Sequence, residues 1–335
     1  MAVRIGFHGF GRIGRNVFRV LYNRREFDVR CIADVAPIES LVYLLNFDSI
    51  HGRFPEELKH GQGHMFVNGR SVPVVFSREP GEVRWRDYDV DIVVEASGRY
   101  RGRAALERHL DAGARRVLLT NPPADDLYST IVCVGVNDGA IDRSHKVVSN
   151  ASCTSNALAL MVKILDEAFG VEHASMTTVH AYTNELRLAD VPHRQLRRSR
   201  AAAENIIPST TQAVRVVETL MPHLRGRISG MALNVPIPDG SVIDLTCALR
   251  RRVSPGEVNG AVASAARGYL KGILDVTEQP IVSSDVVGNP HTGVFDALTT
   301  KVLGGNLVKT VTWYDNGWGY ANRVVDLIER LARTL

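Results

Sequence analysis

The sequence predicts an α/β protein in two parts, a doubly wound parallel sheet followed by an α+β domain with a mixed or antiparallel sheet. Three observations predict it. The first 150 or so residues alternate short β-branched runs with longer amphipathic stretches, the rhythm of strand–helix–strand units. Beyond them the strand-like runs lie further apart, as in a larger mixed or antiparallel sheet. At 335 residues, the chain also exceeds what one core usually holds. The expected domains are 1–152 and 153–316, with a C-terminal helix over 317–335 packing back on the first.

Taken in order, "VRIGFHGFG" reads as a strand running into a turn. "RIGRNVFRVLYNRR" then places Ile13, Val17, Val20 and Leu21 at helical spacing between arginines. "FDVRCIADV", "DIVVEASG", "RRVLLTNPP", "YSTIVCVGVN" and "HKVVSNAS" are the further strands, and "GRAALERHLDAGA" is a helix stopped by Gly113. Right-handed crossovers fold such a series into a doubly wound sheet. In the second part "ALALMVKILDEAFG" is a helix with a glycine stop. "EHASMTTVHAY", "RISGMALNVPIP", "SVIDLTCALRRRV" and "LVKTVTWYD" are its strands. Thr183 to Pro208 is charged and weakly periodic, so it reads as a long ordered loop of functional or interfacial type. "WGYANRVVDLIERLARTL" is the closing helix.

Composition narrows the function classes. Hydrophobic residues at 45% and charged residues at 23% describe a soluble globular chain. The net charge of +4 is mild and interleaved, so a nucleic-acid partner is not expected. The densest basic stretch, "PHRQLRRSR", reads as a solvated face, a subunit contact or an anion-binding edge. Cys31, Cys133, Cys153 and Cys247 form no CxxC pair, which argues against a zinc site and a redox dithiol; no metal is expected. The N-terminus lacks a secretory pattern and no apolar run reaches membrane-span length. A cytoplasmic, non-membrane protein with free thiols is the expectation.

"GFGRIG" places Gly9, Gly11 and Gly14 after a strand and at the opening of a helix, with Asp34 on the end of the next strand. Glycines let backbone approach a pyrophosphate, the helix N-terminus supplies unpaired N–H groups, and a carboxylate accepts from a ribose hydroxyl. These are the marks of a Rossmann dinucleotide site. Asp34 repels a 2′-phosphate and Val35, Ala36 and Pro37 carry no cation to offset it, so NAD is favoured over NADP.

"SNASCTSN" sets Cys153 at the junction of the two parts, immediately before a helix. A helix N-terminus favours thiolate, and a thiolate attacks an aldehyde carbon to give a thiohemiacetal and, after hydride loss, a thioester. The plain alternative is a buried structural cysteine. "TTVHAYTNE" ends a strand at His180, an imidazole able to act as base if it meets the sulfur; a hydrogen-bonded core histidine is its plain alternative.

"GFGRIGRN", "FDSIHGRF", "SNASCTSN", "HAYTNE", "LRRSRAAAENIIPST", "SVIDLT", "IVSSD" and "WYDNGWGY" occur in one order along nearly the whole chain. Through them the sequence resembles the glyceraldehyde-3-phosphate dehydrogenases. The resemblance implies Cys153 as nucleophile and His180 as base, with Gly9, Gly11, Arg12, Ile13, Gly14 and Asp34 at the dinucleotide. It implies Thr120 near the nicotinamide and Asn316 orienting its carboxamide. Ser152, Thr154, Thr183, Arg198 and Thr211 match residues of two anion pockets, one for the phosphate of a small phosphorylated aldehyde and one for inorganic phosphate. A homotetramer is implied, with the loop from Tyr182 to Ile207 reaching a neighbouring subunit's cofactor.

The departures gather at the anion pockets. Asn234 stands in "GMALNVP" where the family carries arginine, and an amide lacks the guanidinium's permanent charge and planar fork. Gln212 replaces a glycine and is expected either to fill part of the phosphate pocket or to replace the missing donor. Ala157 replaces a second cysteine, Gly317 a glutamate, and His8 an asparagine. Compensation by Arg197, Arg198 or Arg200 and altered chemistry both remain open at this level. The leading function is phosphorylating, NAD-dependent oxidation of glyceraldehyde 3-phosphate. Alternatives are oxidation of another small aldehyde, such as erythrose 4-phosphate, with release of the acid, and a non-catalytic NAD-binding protein.

Overall fold

A computed structural model describes residues 2–22 and 24–335. Contacts among Cα atoms divide the chain into two units, one formed by 1–133, 137–151 and 321–335, the other by 134–136 and 152–320.

The first unit opens β1 (Val3–His8), α1 (Arg12–Tyr22), β2 (Phe27–Asp34), α2 (Ile38–Asn46). A short pair, β3 (Phe47–Asp48) and β4 (Gly52–Arg53), leads into β5 (Leu58–Gly61), β6 (His64–Val67) and β7 (Arg70–Phe76). β8 (Ile92–Glu95), α3 (Arg103–Asp111), β9 (Arg116–Leu119) and β10 (Val147–Ser149) follow. The main sheet has the order β10-β9-β8-β1-β2-β7-β6-β5. From β10 to β7 every pairing is parallel. β6 and β5 add an antiparallel edge. The strand order reverses at β1, so the ends of β1 and β8 form the crevice edge where doubly wound sheets bind ligands. All four residues of β8 are buried, as a central parallel strand covered on both faces requires.

"YSTIVCVGVN" does not form the expected strand. It supplies the end of a 3-10 turn (Asp125–Thr130) and one isolated bridge, Ile131 to Ser149. Asn137 explains the loss. Its Oδ1 accepts from Cys133 N at 2.9 Å and its Nδ2 donates to Ile131 O at 2.9 Å, occupying backbone groups a ladder would need.

The second unit comprises α4 (Cys153–Phe169), β11 (Val171–Ala181), β12 (Ile207–Ser209), α5 (Ala213–Leu220), β13 (Ile228–Val235) and β14 (Ser241–Leu249). It continues with α6 (Pro255–Arg267), β15 (Leu274–Thr277), β16 (Gly293–Asp296), β17 (Lys301–Leu303) and β18 (Leu307–Tyr314), and the last helix, α7 (Trp318–Ala332), starts here. Its sheet runs β12-β13-β11-β14-β18-β16-β15, with β17 on β18. β11 is parallel to β13 and antiparallel to β14, so the sheet is mixed.

α4 carries this unit's core, with Leu158, Met161, Val162 and Leu165 wholly buried. It packs on α5, α6 and the face of β11, β14 and β18. Ser152 caps it, Oγ accepting from Ser155 N at 3.1 Å, and Gly170 at φ 72° ends it. Just before the cap, Ala151 is held at φ 52°, a left-handed conformation that costs a β-carbon residue about 1 kcal/mol or more. That sharp turn delivers Cys153 to the first helical position.

Candidate active site

At the crevice edge of the first unit, Gly9 sits at φ 93°, and a β-carbon there would lie 2.4 Å from Ser97 N. A β-carbon on Gly14 would lie 2.5 Å from Gly9 O, so α1 starts hard against the strand end. Gly11 faces open space, with no atom within 4 Å of the position a β-carbon would take. The loop is therefore tight where it must pack and bare where a pyrophosphate would approach. Asp34 accepts from Phe10 N at 2.6 Å and Ala36 N at 2.9 Å, which aims the carboxylate and leaves lone pairs for a ribose hydroxyl. Arg12 and Ile13 are partly exposed at the start of α1. Thr120 is buried after β9, its hydroxyl donating to Glu95 O at 3.1 Å. These residues fit an NAD pyrophosphate and adenosine ribose.

In the second unit, Asn316 Oδ1 accepts from Ser241 Oγ at 2.8 Å, and its backbone N–H donates to Asp239 Oδ1 at 3.1 Å.

Cys153 and His180 meet. Sγ lies 3.6 Å from Nε2, between the first residue of α4 and the penultimate residue of β11. The other ring nitrogen fixes the tautomer, because Nδ1–H donates to Ala181 O at 2.7 Å and Nε2 therefore turns its lone pair to the sulfur. Cys31, Cys133 and Cys247 are buried, whereas Cys153 keeps an opening to solvent. The reading of Cys153 as an inert core residue therefore has little support.

The backbone N–H groups of Cys153 and Thr154 at the helix start lower the thiol pKa as expected, but a larger effect outweighs them. Burial pushes the Cys153 thiol up to about 12, against the smaller opposing effect of hydrogen bonds from Thr154. Burial likewise pushes the His180 imidazole down. Each charge alone is costly here, and moving one proton from sulfur to Nε2 creates both together without changing the net charge.

Tyr314, which lies in "WYDNGWGY" but is assigned no role there by the sequence, organises the floor of this pair. Its ring meets His180 edge-on at 6.0 Å, and its buried hydroxyl bonds Thr154 Oγ1 at 2.9 Å and Thr178 Oγ1 at 2.8 Å. Thr178 gives its own proton to Val242 O at 3.2 Å. The Tyr314 proton therefore goes to Thr178 Oγ1, and the Thr154 hydroxyl lies between two acceptors, Tyr314 Oη and Cys153 Sγ at 4.0 Å.

Beside His180 lies a cavity of about 140 Å³, lined by Thr154, Thr183, Arg198, Thr211 and Asn234 of the predicted residues. Ser152 and Gln212 do not line it. The Ser152 hydroxyl is spent on the α4 cap, and Gln212 is exposed at the start of α5, so the expected filling or donor role of Gln212 is not what the structure places there. Asn234 Nδ2 donates to Ser209 Oγ at 3.0 Å. Of the three arginines considered as substitutes, Arg198 alone lines the cavity; Arg200 pairs with Asp190 and Arg197 is exposed. Arg198 is itself held by Glu185 at 2.8 Å, a lining residue that sequence reasoning missed. One guanidinium and one carboxylate leave the lining with no surplus positive charge.

Comparison with known proteins bears on this chemistry. Residues 3–103 match the family "Glyceraldehyde 3-phosphate dehydrogenase, NAD binding domain", and 152–316 match "Glyceraldehyde 3-phosphate dehydrogenase, C-terminal domain". The chain belongs to the glyceraldehyde-3-phosphate dehydrogenase family. The "Glyceraldehyde-3-phosphate dehydrogenase" of Geobacillus stearothermophilus is 45% identical over 333 residues, 99% of this chain and 99% of the relative. "Glyceraldehyde-3-phosphate dehydrogenase 2" of Bacillus subtilis is 45% identical, covering 99% of this chain and 97% of the relative. "Glyceraldehyde-3-phosphate dehydrogenase" of Mycobacterium avium is 45% identical and covers 100% of both. Within this family the glycine loop and Asp34 fall in the NAD-binding match, and Cys153, His180 and the cavity in the C-terminal one.

Proposed function

We propose that the chain oxidises glyceraldehyde 3-phosphate with NAD and inorganic phosphate to 1,3-bisphosphoglycerate, with Cys153 as nucleophile and His180 as base. The observation that carries the assignment of roles is the 3.6 Å approach of Sγ to a ring nitrogen whose lone pair faces it.

His180 Nε2 takes the thiol proton as the sulfur adds to the aldehyde carbon, and the imidazolium returns it to the new oxyanion, giving a thiohemiacetal. The same nitrogen then removes the hydroxyl proton, which drives electrons toward the leaving hydride. Bound NAD supplies the hydride acceptor. The acyl group remains on Cys153 as a thioester. A phosphate oxygen attacks its carbonyl carbon, the C–S bond breaks, and sulfur leaves as the thiolate beside protonated His180, ready for the next aldehyde. Thr154, Thr183, Arg198, Thr211 and Asn234 are the candidates for holding the two anions. With an amide at 234 and Arg198 paired, binding of phosphate is expected to be weak and dominated by hydroxyl donors.

Gly9, Gly11, Arg12, Ile13, Gly14, Asp34 and Thr120 are assigned to NAD, and Asn316 to its carboxamide. The assignment of 1–152, with 317–335, to cofactor binding and of 153–316 to catalysis belongs to this reading. So does a homotetramer, supported by Leu188, Leu196 and Ile206, which are 87%, 83% and 65% exposed on the long loop. A cytoplasmic site of action is proposed too; no described helix is long and apolar enough to cross a membrane.

The test is NADH formation from glyceraldehyde 3-phosphate and NAD, with and without phosphate, in wild type and Cys153→Ser. Phosphate-dependent turnover lost in the variant supports the reading. Turnover indifferent to phosphate, or surviving the substitution, overturns it. Light scattering checks the tetramer.

A further inference from the structure

Under the glycine loop lies a buried cluster that the reaction does not use. His8 ends β1, Glu95 ends β8, and His109 lies in α3; they are 2%, 0% and 0% exposed. Their protons can be ordered from a neighbour. Trp85 Nε1–H donates to His109 Nδ1 at 3.0 Å, and an indole N–H only donates. His109 therefore carries its proton on Nε2 and donates it to Glu95 Oε2 at 3.1 Å. The same order disfavours a metal ion, since a ligating Nε2 would move that proton to Nδ1, against the indole N–H.

His8 Nδ1–H donates to the same Oε2 at 2.6 Å, while Oε1 accepts the N–H and hydroxyl of Ser97 at 2.9 and 2.5 Å. All four lone-pair directions of the carboxylate are used. Burial alone would push Glu95 up, but hydrogen bonds from His109, His8 and Ser97 together hold it down at about 2. His8 Nε2 finds no partner among the described residues, so its hydrogen-bonding role rests on Glu95.

The cluster reaches the nucleotide loop by contact. Ser97 N and Cα lie 2.4 and 2.5 Å from where a Gly9 β-carbon would be, so the two backbones touch. Glu95 O accepts the N–H and the hydroxyl of Thr120, both at 3.1 Å. Glu95 thus ties together the segments after β8 and β9, its carboxylate holding Ser97 against Gly9 and its backbone carbonyl holding Thr120.

We infer that His8 is a positioning residue for the dinucleotide, holding the glycine loop in its binding shape through Glu95 and Ser97. This rests on reading that loop as the NAD site. The test compares His8→Phe, which keeps a ring but loses the donor, with His8→Asn, whose amide nitrogen stands at the same distance along the side chain as imidazole Nδ1. For His8→Phe, the NAD Kd and KM are expected to rise about fivefold or more, the lower end of coupling between linked sites. At saturating NAD its kcat stays within about twofold of wild type, because the loss is in binding. His8→Asn keeps near-normal affinity.

Wild-type affinity in His8→Phe overturns the inference, as does equal weakening in both variants or a kcat that falls with NAD saturating. If His8→Phe fails to fold, Ser97→Ala cuts the same chain at its other end and must also weaken NAD binding. Wild-type protein that does not bind NAD refutes the reading of the loop and the inference with it. Normal binding that ignores these substitutions refutes the inference alone.

Discussion

Replacing His180 with Asn leaves Cys153 without the base that faces it. The effect on the sulfur follows from two features of the structure. Burial pushes the lone thiol up to about 12, so the sulfur unaided has a thiolate fraction of roughly 10⁻⁴ at pH 8. An imidazolium 3.6 Å away contributes about 5 kcal/mol of attraction at an effective dielectric constant near 20, but an imidazole that burial pushes down must first take its proton from that thiol, so the ion pair reaches on the order of 1% and thiolate rises about a hundredfold. A less basic thiolate is intrinsically slower, which returns about half of that on a logarithmic scale. The net expectation is that iodoacetamide modifies His180→Asn on the order of tenfold more slowly than wild type near pH 8. The variant's rate should also keep rising about tenfold per pH unit up to pH 10 or beyond, while the wild-type rate levels off earlier. Alkylation followed by mass spectrometry reads this at Cys153, because Cys31, Cys133 and Cys247 are fully buried. Equal rates in the two proteins at neutral pH would refute the proton-transfer pairing of sulfur and imidazole.

Other outcomes follow from the same geometry. Asn234→Arg adds a cation to a lining without surplus charge and is expected to lower the KM for phosphate or for the phosphorylated aldehyde about tenfold, the scale of a charged hydrogen bond; steady-state kinetics in both substrates checks it. Tyr314→Phe takes a partner from the buried Thr154 hydroxyl, while Thr178 keeps Val242 O, and should cost about 1–3 kcal/mol in urea unfolding, with a fall in kcat as Thr154 loses its anchor. Glu95, held at about 2 in the fold against an ordinary 4.5, contributes stability that is complete above pH 4.5 and drains away as pH falls toward 2. That contribution is about 3 kcal/mol. Glu95→Gln should therefore flatten the acid limb of the stability curve; an unchanged acid limb counts against the hydrogen-bonded carboxylate.

What was legible in the sequence is what local chain chemistry controls. Gly9, Gly14 and Asp34 declare a turn, a close approach and a strand end within a few residues of one another, and the structure realises each there. Cys153 at a helix start and His180 at a strand end were readable for the same reason, since caps and periodicity act over one or two turns. Even so, "YSTIVCVGVN" misled, because the asparagine that ends it captured its backbone groups.

Tertiary structure decided the rest. Only folding brings Sγ within 3.6 Å of Nε2, places Tyr314 against a threonine 160 residues away, sets Glu185 on Arg198 and leaves Gln212 outside the cavity. It also reversed the expected tuning of the thiol. A helix end favours the anion at short range, but the cost of removing a charge from water depends on everything packed around the sulfur, and no stretch of neighbouring letters encodes that surrounding.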